Sequence, residues 1–201
     1  MQRLQSALRE LPISYNAPVT LTFVLLCVGV YGLNLLTGGA SNHLLFSVYR
    51  SSALNPLTYL RLFLHVMGHA SWEHLLGNMM YLLLLGPMLE EKYGGRNLLL
   101  VMGATALSTG LVNIIFFPHI SLLGASGIVF AMILLSSFTV TEKDKLPLSF
   151  LLVALLYIGQ QVVDGLFTQD HISQMAHIVG GIVGSVLGFT LNHVQFHNMR
   201  R

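Results

Sequence analysis

The stretch Leu122-Leu123-Gly124-Ala125-Ser126-Gly127 places one hydroxyl in a small-residue turn inside a long uncharged run. From Asn97 to Thr141 there is no Asp, Glu, Lys or Arg, and Pro118-His119 divides this run in two. A serine between glycines at a helix start lets the backbone approach a substrate closely, and the first N–H groups of the helix face any negative charge beside it. Ser126 is therefore the candidate functional residue, although Gly-x-Ser-Gly also serves close helix packing in membranes.

The composition indicates a membrane protein. Of the 201 residues 54% are hydrophobic and 9% charged, whereas globular proteins carry about 25% charged residues. So few charges cannot cover a soluble domain of this size, so most of the chain is expected to lie in lipid. The net charge of +2 comes from scattered basic residues, which argues against nucleic-acid binding. Cys27 stands alone, so no disulfide, structural zinc site or redox pair is expected, and no cofactor or metal.

Six apolar segments approach the length of about 20 residues that a helix needs to cross a bilayer. They predict the spans Ala17–Leu36, Trp72–Leu89, Asn97–Phe117, Ser126 to about Val140, Leu146 to about Val163, and Gln174 to about Asn192. The predicted fold class is an all-α membrane protein, a bundle of six transmembrane helices with a short fourth helix. Residues 37–71 form a half-apolar connection that we expect to lie in the membrane interface.

Basic residues predict the orientation. Six spans put both termini on one side, and a cytosolic N-terminus collects Arg3, Arg9, Lys92, Arg96, Lys143, Lys145, Arg200 and Arg201 there, against Arg50 and Arg61 outside. We therefore expect a cytosolic segment 1–16, a membrane domain 17–193 and a cytosolic tail 194–201, in a prokaryotic plasma (inner) membrane. A signal peptide ending at Gly38-Gly39-Ala40 is the alternative for the first span, but its apolar core would exceed the usual 7–15 residues or so.

Three polar residues on different predicted spans share one depth. Ser126, His74 and His177 each lie 16 residues before the predicted cytosolic end of their span, at Glu142, Glu90 and His193. Sixteen helical residues rise about 24 Å, several Å short of a hydrocarbon core of roughly 30 Å. The three side chains are thus expected just beneath the outer face, with Asn78 one turn deeper. Polar residues at such positions are functional candidates when they have partners.

Small-residue stripes predict which spans touch. On the sixth span they are Ala176, Gly180, Gly184 and Gly188, and on the fourth Gly127 and Ala131. Packing these stripes together would bring His177 to the Ser126 hydroxyl, where a neutral imidazole can take the serine proton. In the structural alternative Ser126 caps a helix, His177 bonds a backbone carbonyl, and His74 and Asn78 satisfy each other.

Four features in this order make the chain resemble the rhomboid intramembrane serine proteases, in their basic six-span prokaryotic form. They are His74-x-x-x-Asn78, Gly124-Ala125-Ser126-Gly127, Ala176-His177, and the downstream Gly180 and Gly184, on the second, fourth and sixth predicted spans. The resemblance covers roughly Arg61 to Leu191. It implies that Ser126 is the nucleophile and His177 the base of a dyad without a third acid. It also implies an oxyanion hole formed by His74, Asn78 and the backbone N–H of Ser126, with Gly124, Gly127, Phe130, Gly180 and Gly184 in support.

The sequence departs from the family pattern at two positions. Leu60 precedes Arg61 where the family usually has a tryptophan, and Phe130 stands where a tyrosine commonly stacks on the catalytic histidine. Further family-like positions, expected to make structural hydrogen bonds, are His65, His69 and Glu90. No acid is expected at the depth of Ser126, because Glu73, Asp164 and Asp170 all fall near the outer surface.

The resemblance implies an endopeptidase that cleaves transmembrane segments of other membrane proteins near the outer face, with those proteins and the bilayer as partners. Non-catalytic rhomboid-like proteins, which bind membrane clients without cutting them, are the alternative, although they lack the serine, the histidine or both. A small transporter, the third class considered, would be favoured by a pair of broken helices in symmetric halves or by intramembrane acids, and neither is evident in the sequence.

Overall fold

The computed structural model describes residues 14–137, 147–167 and 171–198, with side chains for all of the first range and for 147–156, 159 and 175–191 of the others. This part of the chain is helical, and its only extended pairing is an isolated bridge between Val48 and Leu122. The helices are α1 Pro18–Leu36, α2 Ala40–Leu44, α3 Pro56–Leu64, α4 Trp72–Tyr93, α5 Gly95–Phe116, α6 Ser126–Ser136, α7 Leu148–Phe167 and α8 His171–Asn198. A 3-10 turn, His65–Met67, follows α3.

Each described helix overlaps one predicted span or lies in the predicted connection. α4 continues to Tyr93, beyond the predicted end at Leu89, and stops where Gly94 adopts a φ of 81°. α8 is longer than predicted at both ends. The predicted end of the fourth span at Val140 and the start of the fifth at Leu146 lie outside the described residues.

Two described helices have the length and composition of membrane spans. They are α1, with a mean hydropathy of 2.1, and α5, with a mean hydropathy of 2.0. α6 and the segment Met175–Leu191 of α8 are shorter apolar helices. The count of six spans and the shortness of the fourth helix therefore stay predictions.

The buried carboxylate of Glu90 joins α1 to α4 and explains why α4 continues beyond this charged residue. Glu90 is 8% exposed, and its Oε1 accepts from the backbone N–H of Val19 at 2.9 Å. Its Oε2 accepts from the backbone N–H of Thr20 at 3.0 Å and from the Thr20 hydroxyl at 2.9 Å. These N–H groups belong to the first turn of α1, which has no other side-chain cap. The charge is satisfied inside the protein, so the helix need not end there.

α6 occupies the centre of the bundle. It contacts α4, α5 and α8, and its side chains Ile128, Met132 and Leu135 are fully buried. They join one apolar core with Leu75 and Leu98 of the neighbouring helices. The residue at the start of α6 is thus held among several helices at once.

The connection 37–71 is folded rather than loose. On α3 the side chains of Thr58, Arg61 and Leu62 are buried, while large apolar side chains face outward at Tyr59, Leu60 and Phe63. Exposed apolar side chains on one side are what an interfacial segment requires. Its location in the membrane interface stays a prediction.

Candidate active site

The turn before Ser126 requires glycine for two reasons. Gly124 has a φ of +123°, which L side chains rarely adopt, and a Cβ there would lie 2.6 Å from Cε1 and 2.7 Å from Nε2 of His74. The imidazole of His74 therefore rests directly on this turn. α6 then begins at Ser126, preceded by Ala125 as N-cap and without a side-chain cap. The structural alternative in which the Ser126 hydroxyl caps the helix is therefore wrong.

The loop leading to Ser126 is tied to the connection 37–71 by backbone hydrogen bonds. Val48 and Leu122 exchange two, of 2.8 and 2.9 Å, and the N–H of Gly124 donates to the carbonyl of His65 at 2.9 Å. The side chain of Asn113, 2% exposed, donates to the carbonyls of Val48 and Ile120, both at 3.0 Å. Sequence reasoning missed Asn113, although its amide in an otherwise apolar segment was a visible signal.

The predicted packing of the two small-residue stripes is confirmed. A Cβ on Gly180 of α8 would collide with the carbonyl of Gly127 on α6, and a Cβ on Gly184 would lie 2.6 Å from the Cα of Ala131. The two backbones thus touch directly. Any side chain at either α8 position would push the helices apart.

His177 lies beside the first turns of α6. Its ring stacks on the ring of Phe130, with centroids 4.0 Å apart and planes within 5° of parallel. Phe130 is one helical turn after Ser126. The phenylalanine therefore keeps the ring contact expected of the family's tyrosine, and the histidine of the sixth predicted span lies next to the helix that begins with the serine.

His74 and Asn78 occupy one face of α4. Ser71 caps the helix: its hydroxyl accepts a hydrogen bond of 3.2 Å from the backbone N–H of His74. Asn78, 6% exposed, donates one amide N–H to the carbonyl of His74 at 3.0 Å. The alternative that His74 and Asn78 satisfy each other is therefore correct for this one hydrogen bond. It leaves the second amide hydrogen of Asn78 unaccounted for.

His65 and His69 make the structural hydrogen bonds expected at these family-like positions. Nδ1 of His65 lies 3.0 Å from the carbonyl of Arg61, and Nε2 lies 3.2 Å from the Thr109 hydroxyl. Nδ1 of His69 lies 3.1 Å from the Met67 carbonyl. Burial lowers the pKa of each of these two histidines to about 4, and the charge of His74 also lowers that of His69. Both are neutral at neutral pH.

Arg61 anchors the connection without the family's tryptophan. It is 4% exposed, and its Nε donates to the Leu44 carbonyl at 2.8 Å. Its guanidinium lies 4.4 Å from the ring centroid of Tyr49, in a cation–π contact. Leu60 is exposed. The arginine is thus held by the connection's own backbone and a tyrosine.

Two of the described acids lie near opposite ends of α4. Glu73 is exposed on the first turn of α4, and Glu90 is at the far end of that helix. The side chain of Asp164 and the whole of Asp170 lie outside the described residues. Among the residues described, no group of three His, Cys, Asp or Glu could hold a metal ion.

These features define a helical bundle with a serine at the start of a central helix and a histidine on the helix packed against it. The chain belongs to the rhomboid family: residues 56–194 match the family model described as Rhomboid domain. Members of this family are integral membrane proteins, and so is this chain.

Curated relatives of this chain come from animals, plants and bacteria. The chain is 30% identical to Rhomboid-related protein 2 of Mus musculus over 157 residues, which cover 68% of this chain and 52% of the relative. It is 26% identical to chloroplastic Rhomboid-like protein 11 of Arabidopsis thaliana, over 62% of this chain and 49% of the relative. It is 29% identical to Rhomboid protease GlpG of Yersinia pestis, over 88% of this chain and 63% of the relative. The matches thus span between 49% and 63% of each relative's length.

Proposed function

We propose that this protein is an intramembrane serine endopeptidase that cleaves transmembrane segments of other membrane proteins near the outer face of the membrane. The observation that carries the proposal is the stacking of His177 on Phe130, one turn after Ser126. The similarity to Rhomboid protease GlpG supports it. Both residues that the chemistry needs are present, whereas non-catalytic rhomboid-like proteins lack the serine, the histidine or both.

In the proposed mechanism Ser126 and His177 form a dyad. A neutral imidazole nitrogen of His177 removes the proton from the Ser126 hydroxyl as the oxygen attacks the scissile carbonyl carbon. This makes His177 an imidazolium, which then gives the proton to the leaving amine. The C–N bond breaks, and an acyl ester remains on Ser126. Water, activated by His177, hydrolyses the ester. Phe130 holds the ring plane of His177 during these transfers.

The proposed oxyanion hole lies at the start of α6. The backbone N–H of Ser126 is one of the first N–H groups of a helix and has no partner within that helix. The ring of His74, against Gly124, and the second amide N–H of Asn78 are proposed as the remaining donors. Such donors stabilise the transition state because negative charge develops on the carbonyl oxygen only then.

The substrates follow from the geometry of a helix in lipid. A transmembrane helix keeps its carbonyls in internal hydrogen bonds, so it must unwind locally before Ser126 can attack. We therefore propose single-span substrates, cut near the outer end of the span, with a small residue before the cut. Gly or Pro should follow in the helix, because they make unwinding cheap. The location proposed for the enzyme is the plasma (inner) membrane, with both termini in the cytosol.

Covalent labelling by a fluorophosphonate tests the proposal. The purified wild-type protein should be labelled and should cleave a single-span substrate, whereas Ser126→Ala and His177→Ala should do neither while staying folded and membrane-inserted. Cleavage by a clean Ser126→Ala preparation would refute the mechanism. A wild-type protein that binds a single-span client but takes no label would instead be the non-catalytic rhomboid-like binder.

A further inference from the structure

His69 and His74 are in ring contact where the connection 37–71 meets α4. Their centroids are 5.0 Å apart and their planes are inclined by 66°. The same His74 ring directs Cε1 and Nε2 at Gly124. The ring of His74 therefore contacts both His69 and the turn before Ser126.

The hydrogen bonds of His69 determine which of its nitrogens carries the proton. The Met67 carbonyl, 3.1 Å from Nδ1, can only accept, so the proton is on Nδ1 and Nε2 is an acceptor. That Nε2 is buried, and it has no hydrogen-bond partner in the part of the chain that the structure describes. Leaving a buried acceptor unpaired is unfavourable, so its retention calls for a reason.

The backbone around His69 is held in place. Its carbonyl accepts from Nδ2 of Asn42 at 3.0 Å, and a Cβ on the preceding Gly68 would collide with the carbonyl of Phe46. His69 itself is fully buried. The backbone of His69 is thus held by contacts that do not involve His74.

We propose that His69 is a positioning residue that acts through His74, an inference that rests on the proposed function. The lone pair on Nε2 of His69 favours a C–H edge of the His74 ring beside it. The same lone pair disfavours a flipped His74 ring, because the flip would place the lone pair of the unprotonated His74 nitrogen against that of His69. The contact thereby holds His74 with an N–H directed at the site where the oxyanion forms.

A double-mutant cycle on a single-span substrate tests this role. His69→Phe keeps a ring but removes the acceptor, and it should lower kcat about tenfold with KM unchanged. His69→Gln returns an acceptor oxygen and should recover most of that loss. In a His74→Ala background, His69→Phe should have no further effect. The matched control is His43→Phe, because His43 is exposed and stacks on Tyr49 instead. The kcat of this variant should equal that of the wild type.

Three results would overturn the inference. The first is an unchanged kcat for His69→Phe. The second is a kcat that His69→Phe lowers by the same factor in the wild-type and the His74→Ala backgrounds. Either result would show that His69 has only a structural role. The third is a proton on Nε2 of His69 in the wild-type protein. The 15N NMR chemical shifts of the ring nitrogens measure this, and the measurement does not depend on the folding of any variant. A wild-type protein that neither cleaves nor takes a fluorophosphonate refutes the proposed function itself, so the two failures are distinguishable.

Discussion

The rings of Phe130 and His177 stack at 4.0 Å between centroids and within 5° of parallel. Phe130 is on α6 and His177 on α8, so the stack joins the two helices that carry the proposed dyad. An aromatic face against the imidazole restricts the rotation of the ring. The position of the proposed base therefore depends on a residue that has no polar atom of its own.

Phe130→Ala should lower kcat on a single-span substrate about tenfold, because an aromatic pair contributes about 0.5–1.5 kcal/mol beyond its buried area. Phe130→Tyr keeps the ring and should retain activity. The measurement is kcat per fluorophosphonate-reactive site. Equal activity of Phe130→Ala and wild type would show that the stack does not position His177.

Asn78→Ala should lower turnover by roughly 10²–10³, the usual effect of losing one oxyanion donor. KM should change little, because the lost interaction forms only in the transition state. Steady-state kinetics on the same substrate measure both constants. Unchanged turnover would remove Asn78 from the proposed hole and leave it a packing residue.

Gly180→Ala should destabilise the protein by about 1–3 kcal/mol, because the added methyl group collides with the Gly127 carbonyl and nothing flexible can yield. Gly103→Ala is the matched control. It is also a helical glycine, but its added Cβ meets no atom within 4 Å, so its stability should be unchanged or higher. Thermal unfolding in detergent compares the two, and equal midpoints would contradict the backbone contact between α6 and α8.

Glu90→Gln should cost about 2 kcal/mol of stability, since the carboxylate accepts three hydrogen bonds from Val19 and Thr20. An amide offers one oxygen, and its NH₂ would face an N–H donor. The neighbouring Glu91→Gln is the control, because Glu91 is exposed. Comparable unfolding midpoints for the two variants would show that the cap of α1 contributes nothing.

Stability should fall on acidification between pH 6.5 and about 4. Burial lowers the pKa of His65 and of His69 from 6.5 to about 4, so the unfolded chain binds protons in this window that the folded protein does not. Their contribution is complete above pH 6.5 and lost as the pH falls through 4. Each histidine adds a slope of up to about 1.4 kcal/mol per pH unit. Unfolding midpoints across this range should show a smaller slope for His65→Gln, and an equal slope would refute the assignment.

Much of the bundle was predictable because its signals are local. Small side chains at every fourth residue share one helix face, so Gly180 and Gly184 predicted a close contact with the small residues of the fourth span. Likewise Gly124 and Pro118 marked the break before α6. The end of α4 was misjudged for the opposite reason: charges at Glu90 normally meet water, and here the carboxylate is buried against a segment 70 residues earlier.

The sequence by itself determined the membrane class, the approximate helices and the small-residue faces, because composition and helical spacing are properties of the local chain. Only the tertiary structure decided what each polar group touches. The bridge from Val48 to Leu122 and the bond from Gly124 to His65 join backbone atoms, which every residue has and which leave no mark in the sequence. The contact of His69 with His74 depends on how the connection folds back onto α4. Such pairings exist only once distant segments have packed.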